Sequence, residues 1–541
     1  MNLKKSSSSS SSHLGDALPS TTKQSETNLM VETERLTSPD QVLSRWGTRN
    51  VYLWSVWISM ALVWGLSAMP MMVSAFIMGG DDTTASTCVS HTSSTNSTSN
   101  CVATHGTIAK EFGLSGSKAA LVEYTTSAFL FGVVVGSTFL PLLSDRKGRR
   151  LVLLLSMSSM GVAGCASAFA PDIYSFTLLR FIQGVFFTGC GVTNWILAYE
   201  CIPMRLRSYT ALVFGIMWVA GYCLVGPLAY WLPDWRQLII ATSSPILLFA
   251  LIYFFTIPES FHYLVSQGEV NKVEQWMKKA NNYANQNARA QFSAKDLCDS
   301  SRLSATQCKL KENGSYYTPK QNLVHELLSS RLLSIYTLIM VYLWTCDTFV
   351  YYGLSLFSTQ ISGDRYLNFA LMGLIEIPSY LISPIMLNRI GRRLFVSLCH
   401  LLAATSFFAI LFADDPRISL IIWLIGKFAI SSAFTSLFVY ASEVFPTVVR
   451  NGCIGICSVV ARVGGAFAPT VRTMSLISPI IPPIFFGTSA GLGALLTLLL
   501  PETSNRELPC STDHMTGAIA APANKVNAQM SKEETKKAVL V

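Results

Sequence analysis

Ionisable residues stand inside stretches that are otherwise apolar, among them Arg180, Asp347, Glu376, Lys427 and Arg462. A charge in such a place is costly to desolvate, so it needs an opposite charge, a hydrogen-bonded frame or a charged ligand. Arg462 has the planar fork that grips a carboxylate through two parallel hydrogen bonds. Glu376 can offset a nearby cation or face an ammonium group. Asp347, Lys427 and Arg180 are each either a ligand contact or a structural ion. Aromatic residues stand among them. Trp344 and Tyr351 lie seven apart and share a helix face, and Trp195 follows Asn194. Aromatic faces hold ammonium ions by cation–π attraction worth about 0.5–2 kcal/mol. The chemistry of this set is ion recognition. No catalytic constellation is visible, and no CxxC pair or His-rich cluster suggests a metal, so the chain does not read as an enzyme and no cofactor is expected.

The elements that carry these residues follow from composition. The chain has 541 residues, of which 50% are hydrophobic and 13% charged, against about 25% charged in a typical soluble domain. That balance points to an integral membrane protein, so the net charge of +9 reads as basic loops at a membrane face, and no nucleic-acid partner is expected. Residues 1–50 open with a serine run and read as disordered. From Val51 an uncharged run continues to Gly79, longer than the ~20 residues a spanning helix needs. Eleven similar runs follow, near 119–143, 151–170, 173–198, 208–232, 237–257, 332–355, 367–387, 394–413, 418–441, 451–474 and 478–500. Arg462 and Glu376 fall near the middle of theirs.

Basic clusters at 145–150, 205–207 and 389–393 follow the second, fourth and eighth runs, all on one side. The positive-inside rule then places both termini in the cytoplasm and loop 80–118 outside. That loop holds the glycosylation sequon at Asn96 and two cysteines, Cys88 and Cys101, that could pair in an oxidising compartment. A second sequon, at Asn313, lies on the cytoplasmic side and is expected to be unused. The stretch from Pro258 to Ala280 has apolar residues at helical spacing and predicts surface helices.

A repeat runs through the chain. SDRKGRR (144–150) has a partner in NRIGRR (388–393), and Glu200, Pro203 and Arg207 are matched by Glu443, Pro446 and Arg450. Pro258-Glu259-Ser260 is matched by Pro501-Glu502-Thr503, and the offsets 388 − 145, 443 − 200 and 501 − 258 are all 243. Three motifs at one offset, each at a helix end, predict two six-helix halves in parallel orientation. The fold class expected is an all-α polytopic membrane protein with twelve transmembrane helices in two repeats. Its parts are a tail (1–50), a first half (51–257), a linker (258–331), a second half (332–503) and a tail (504–541). Asp145, Arg149, Glu200, Arg207, Glu443 and Arg450 can pair between helices, holding the two halves together and gating the site, with Arg180 in the same role; simple topological anchoring is the other use of the basic residues. Asp145 is replaced by Asn388 in the second half, which singles it out as the gating residue to mutate first.

The stretches YYGLSLFSTQISGDRYLNFALMGLIEIPSY (351–380), GKFAISSAFTSLFVYASEVFPTVVRNGCIG (426–455), RFIQGV (180–185), DWR (234–236) and PES (258–260) resemble the organic cation/anion/carnitine transporter family of the major facilitator superfamily. The resemblance covers roughly residues 45–510 and is closest to the carnitine and zwitterion branch. Pro141 and Gly116 depart from the family pattern. The resemblance implies alternating access around a midplane site, with Arg462 meeting a carboxylate and Trp195, Trp344 and Tyr351 lining the cavity with Asn194, Glu376, Asp347 and Lys427. It implies a small organic ion as substrate, such as a carnitine-like betaine, in the plasma membrane. The alternatives are an organic anion exchanger, or a receptor or scaffold with a transporter fold. A co-transported sodium ion or proton is left open. The terminal Val541 could dock a PDZ-type domain.

Overall fold

The computed structural model describes residues 38–78, 106–114, 118, 120–284, 293–301, 327, 330–446 and 449–504. Asn96, Cys88, Cys101, Asn313 and Val541 lie outside the described residues. Twelve helices are long and apolar enough to cross a membrane: α1 Val51–Ile77, α2 Ala120–Lys147, α3 Arg149–Ser167, α4 Ile173–Cys201, α5 Met204–Trp231, α6 Trp235–Thr256, α7 Arg331–Gln360, α8 Arg365–Ile390, α9 Arg392–Phe412, α10 Pro416–Val444, α11 Arg450–Ile477 and α12 Ile481–Leu498. The chain is a multi-pass membrane protein. An even number of spans returns the chain to its starting side, here called the motif face because the repeated basic motifs lie on it.

Four of the six helices entering from the opposite face share one device. Asp172, Asp234, Asp364 and Asp415 cap α4, α6, α8 and α10, accepting from the backbone N–H of Ser175, Arg236, Tyr366 and Arg417. An acidic side chain at that position satisfies orphan donors and complements the positive helix end. At the motif face α3 and α9 begin instead at Gly148 and Gly391, with φ of 99° and 96°. Only glycine takes this conformation without strain. A Cβ there would lie 2.5 Å from Glu259 Oε2 and 2.7 Å from Glu502 Oε2 respectively.

The disorder expected over residues 1–50 does not extend to the end of that segment. Pro39–Trp46 form a helix with a capping box between Ser38 and Gln41, and bury Val42, Leu43 and Trp46. Trp46 packs on Phe261 and Trp276 of the linker helices Phe261–Gln267 and Val270–Asn282. The Ser-Pro-Asp-Gln start followed by apolar residues at i, i+1 and i+4 was a readable helix signal. The linker helices themselves are where the sequence put them.

Candidate ion-binding site

α8 breaks at Ile375 and restarts at Glu376. Pro378 has no N–H for the Leu374 carbonyl, which accounts for the break. The Glu376 carboxylate thus opens a helical segment, where the helix dipole favours negative charge. Lys427 Nζ of α10 lies 3.0 Å from Glu376 Oε1, both side chains being fully buried. The hydroxyls of Tyr351 and Tyr380 donate to Oε2 at 3.0 and 3.2 Å. Lys427 also donates to Ser355 Oγ at 2.7 Å and lies 3.4 Å from the Tyr351 ring centre. Trp218 of α5 reaches across from the first half, its Nε1–H donating to the Tyr351 hydroxyl at 2.9 Å. This is one connected polar network in which every charge is matched.

Arg462 of α11 is different. Among the described residues its side chain makes one hydrogen bond, a long one of 3.5 Å to the carbonyl of Ser458 on its own helix. Among the described residues it has no carboxylate partner, and its side chain is half-buried. Gly464 and Gly465 set α11 hard against α7, where added Cβ atoms would meet Thr345 and Thr348 at 2.3 and 2.8 Å. Arg462 is therefore held at mid-membrane depth beside α7 with its guanidinium uncompensated.

The remaining sequence candidates separate. Asp347 is fully buried against His400 of α9, with Oδ1 3.0 Å from Nε2, a pair made within the second half. Arg180 does not belong to a motif-face gate. It donates to the Pro70 carbonyl at 2.8 Å, to Gln183 at 2.7 Å and to Ser74, under the Phe129 ring. Pro70 and Ser74 flank the break in α1 near the opposite face, so Arg180 stitches that kink. Asn194 donates to the Met60 carbonyl of α1 at 3.2 Å. Trp195 packs on Phe214 with ring centres 4.6 Å apart, and Trp344 on Phe438 at 5.2 Å. No ring contact joins Trp195, Trp344 and Tyr351 among the described residues, and the face of Tyr351 is taken by Lys427, so an aromatic cage is not assembled in this conformation. His400, Ser355 and Trp218 went unnoticed in the sequence, where a lone His, Ser or Trp in an apolar run is an ordinary packing residue.

The motif residues form two matching circuits. Arg149 pairs with Glu200 at 3.1 Å, and Arg392 with Glu443 at 2.9 Å. The Glu259 carboxylate accepts from the backbone N–H of Arg149 and Arg150 at 2.9 and 3.0 Å, and Glu502 from Arg392 and Arg393 at 2.9 and 3.1 Å. Ser260 and Thr503 donate to Glu200 and Glu443. The acid of each Pro-Glu-Ser/Thr motif thus caps a helix whose own cap residue is glycine. These circuits close within each half. They do not bridge the halves as expected, because each Glu sits on the next helix after its Arg in the same bundle. Asp145 is 62% exposed and adds only an i,i+4 contact to Arg149 at 3.1 Å; it is the weakest member of its circuit rather than its key. Arg207 pairs with Asp40 of the short amphipathic helix, and Arg450 donates to the Phe445 carbonyl at 3.3 Å.

Contacts between the halves lie elsewhere. Among the described residues, the hydrogen bonds and ring contacts that cross run from mid-membrane to the opposite face. They include Trp218 to Tyr351, Thr359 to the Ala75 carbonyl at 2.9 Å, Arg472 to the Met78 carbonyl at 2.6 Å, Thr473 to Glu123, and Phe76 stacked on Tyr366 at 5.5 Å. The molecule is closed on the opposite face and joined by none of these on the motif face.

Residues 86–469 match the model of the Major Facilitator Superfamily. The chain belongs to the major facilitator superfamily. A Caenorhabditis elegans protein named as a candidate transporter is 40% identical over 402 residues, covering 74% of this chain and 79% of that one. The rabbit organic anion transporter 3 is 31% identical, with 76% and 74% covered, and a Drosophila organic cation transporter protein 32% identical, with 74% and 72% covered. The fold is that of the inward-open xylose transporter XylE from E. coli, with a TM-score of 0.61 at 17% identity over 84% of this chain and 98% of that one. This major facilitator is a membrane transporter of the organic-ion type, related to carriers named for cations and for anions alike.

Proposed function

We propose that the transported ion carries a carboxylate and that Arg462 receives it. The observation behind this reading is the pairing pattern: Glu376 is paired with Lys427 and Asp347 with His400, whereas Arg462 has no carboxylate partner among the described residues. An uncompensated guanidinium at this depth is costly, and a substrate carboxylate removes that cost in the bound state. Substrate reaches it from the motif face, and closure there with opening of the opposite face releases it, the two halves rocking against each other while their motif circuits tie α3, α4 and α6 in one and α9, α10 and α12 in the other. A carnitine-like betaine fits the sequence resemblance, its ammonium competing with Lys427 for Glu376. An organic anion is the second reading, favoured by Lys427 already occupying that acid.

The test is uptake of radiolabelled carnitine and of glutarate by cells making the wild-type chain, Arg462→Lys or Arg462→Asp. A charge-assisted hydrogen bond contributes about 1.5–3 kcal/mol, so the Asp variant should lose roughly 10- to 150-fold in apparent affinity for the carried probe. Lys should keep part of it. Unchanged uptake by Arg462→Asp would remove Arg462 from the site. Carnitine carried and glutarate refused selects the betaine; the reverse selects the anion.

A further inference from the structure

One buried pair has no part in the site above. His400 Nδ1 lies 2.9 Å from the carbonyl oxygen of Val396. A carbonyl oxygen can only accept, so Nδ1 carries a hydrogen. In a neutral ring that leaves Nε2 bare, and Nε2 is the atom 3.0 Å from Asp347 Oδ1. Two lone pairs do not face one another at that distance in a fully buried place. A second proton must therefore reside on the pair, either as imidazolium beside carboxylate or as imidazole beside carboxylic acid.

The surroundings isolate that proton. On α7, Tyr342 and Cys346 face Asp347, and on α9 Cys399 does; all three are neutral groups. α12 presses on the ring through Gly493, where a Cβ would lie 2.8 Å from His400 Cδ2, and α12 contains no titratable residue. On α10, Lys427 is engaged by Glu376 and Tyr440 by the Pro501 carbonyl, while Arg417 and Glu443 are at the ends. On α11, Cys453 and Cys457 are neutral and Arg462 lies against Tyr352. Among the described residues no other charge competes for Asp347 or His400. The pair also joins α7, which contributes no residue to the motif circuit of its half, to α9, which that circuit holds through Arg392. α7 carries Tyr351 of the Glu376 network and, through Thr359, the closure of the opposite face, whereas α9 packs at the periphery of its own half. A shift of α7 on α9 separates the two partners and exposes each to water, and the bound proton then has no reason to stay.

We infer that Asp347 and His400 form a proton-binding site through which this carrier couples organic-ion movement to a proton gradient. The inference rests on the transport reading above, without requiring its substrate assignment. One proton per cycle limits accumulation to about tenfold per pH unit of gradient.

The full chain is reconstituted in vesicles with the voltage clamped, using radiolabelled carnitine and glutarate as probes. Wild type should concentrate the carried probe when a pH gradient is imposed. The double variant Asp347→Asn/His400→Gln, which keeps an amide pair of similar size, should retain downhill counterflow and lose the response to pH. Wild-type uptake indifferent to the gradient, or a double variant that still responds, overturns the inference. If neither probe enters, the substrate reading has failed, and the proton is read without substrate: infrared difference spectra of the full chain across an acid titration should contain a carboxyl band that Asp347→Asn removes and His400→Gln shifts. Spectra identical to wild type overturn the site. Should the double variant not fold, the wild-type gradient response and spectra decide.

Discussion

Separating Lys427 from Glu376 is the perturbation the structure resolves best. Both groups are fully buried, 3.0 Å apart. Lys427→Met leaves a carboxylate whose support is the hydroxyls of Tyr351 and Tyr380. Glu376→Gln leaves an ammonium on Ser355 Oγ, the Tyr351 carbonyl and the Tyr351 ring. Breaking a buried pair by removing one partner costs about 3–5 kcal/mol, because the survivor is an uncompensated charge. The hydrogen bonds that remain keep each survivor partly solvated, which puts either single variant at the low end of that range. Removing both charges together is close to neutral in a well-packed site. The double variant Lys427→Met/Glu376→Gln should therefore be more stable than either single one, with a coupling of about 3 kcal/mol. Thermal unfolding of the four purified proteins in one detergent measures this, read as an ordering of midpoints. A double variant as unstable as the two losses added would show that the residues do not interact, and the network described here would be wrong.

Gly148→Ala and Gly391→Ala should lower folded yield to a similar degree, since both positions require φ near 100° and both added Cβ atoms would strike a capping carboxylate; fluorescence-detected size exclusion compares them, and indifference at either would break the symmetry argued for the two circuits. Burial raises the pKa of Glu502, but the N–H groups of Ser504, Arg392, Arg393 and Thr503 outweigh it and hold the carboxyl below its ordinary 4.5. A carboxyl with a depressed pKa stabilises the fold above its unfolded value and loses that contribution as pH falls through the folded one. The midpoint gap between wild type and Glu502→Gln should accordingly be constant near neutral pH and shrink as pH falls below 4.5 and through the depressed folded value. Glu123→Gln with Thr473→Val removes one crossing contact at the opposite face; modification of a cysteine placed at Thr359 should quicken several-fold, and no change would mean that this contact does not hold that face shut.

Much of the architecture was legible in the residues alone. Twelve apolar runs became twelve spans because the length that crosses a hydrocarbon layer is a local property of composition. The repeat offset of 243 carried over residue by residue into Arg149–Glu200 and Arg392–Glu443, since equal motifs at equal helix ends meet equal neighbours. Arg462 and Glu376 stood out because a charge in an apolar run is conspicuous wherever the helix turns. The helix at Pro39–Trp46 was legible too, in its capping residues, but was masked by the polar serine-rich segment before it.

Partnership was decided only in three dimensions. Asp347 and Lys427 look alike in the sequence, each a lone ion in an apolar run. One meets His400 and the other Glu376 because helix rotation and crossing, set in part by glycines and prolines such as Gly493 and Pro378, determine which faces touch. The same geometry turned Arg180 onto a backbone carbonyl, closed the motif circuits inside each half rather than between them, and left Arg462 without an acid among the described residues. A sequence states which side chains carry charge; the packing of helices decides which charges are neutralised, and so where a charged ligand can bind.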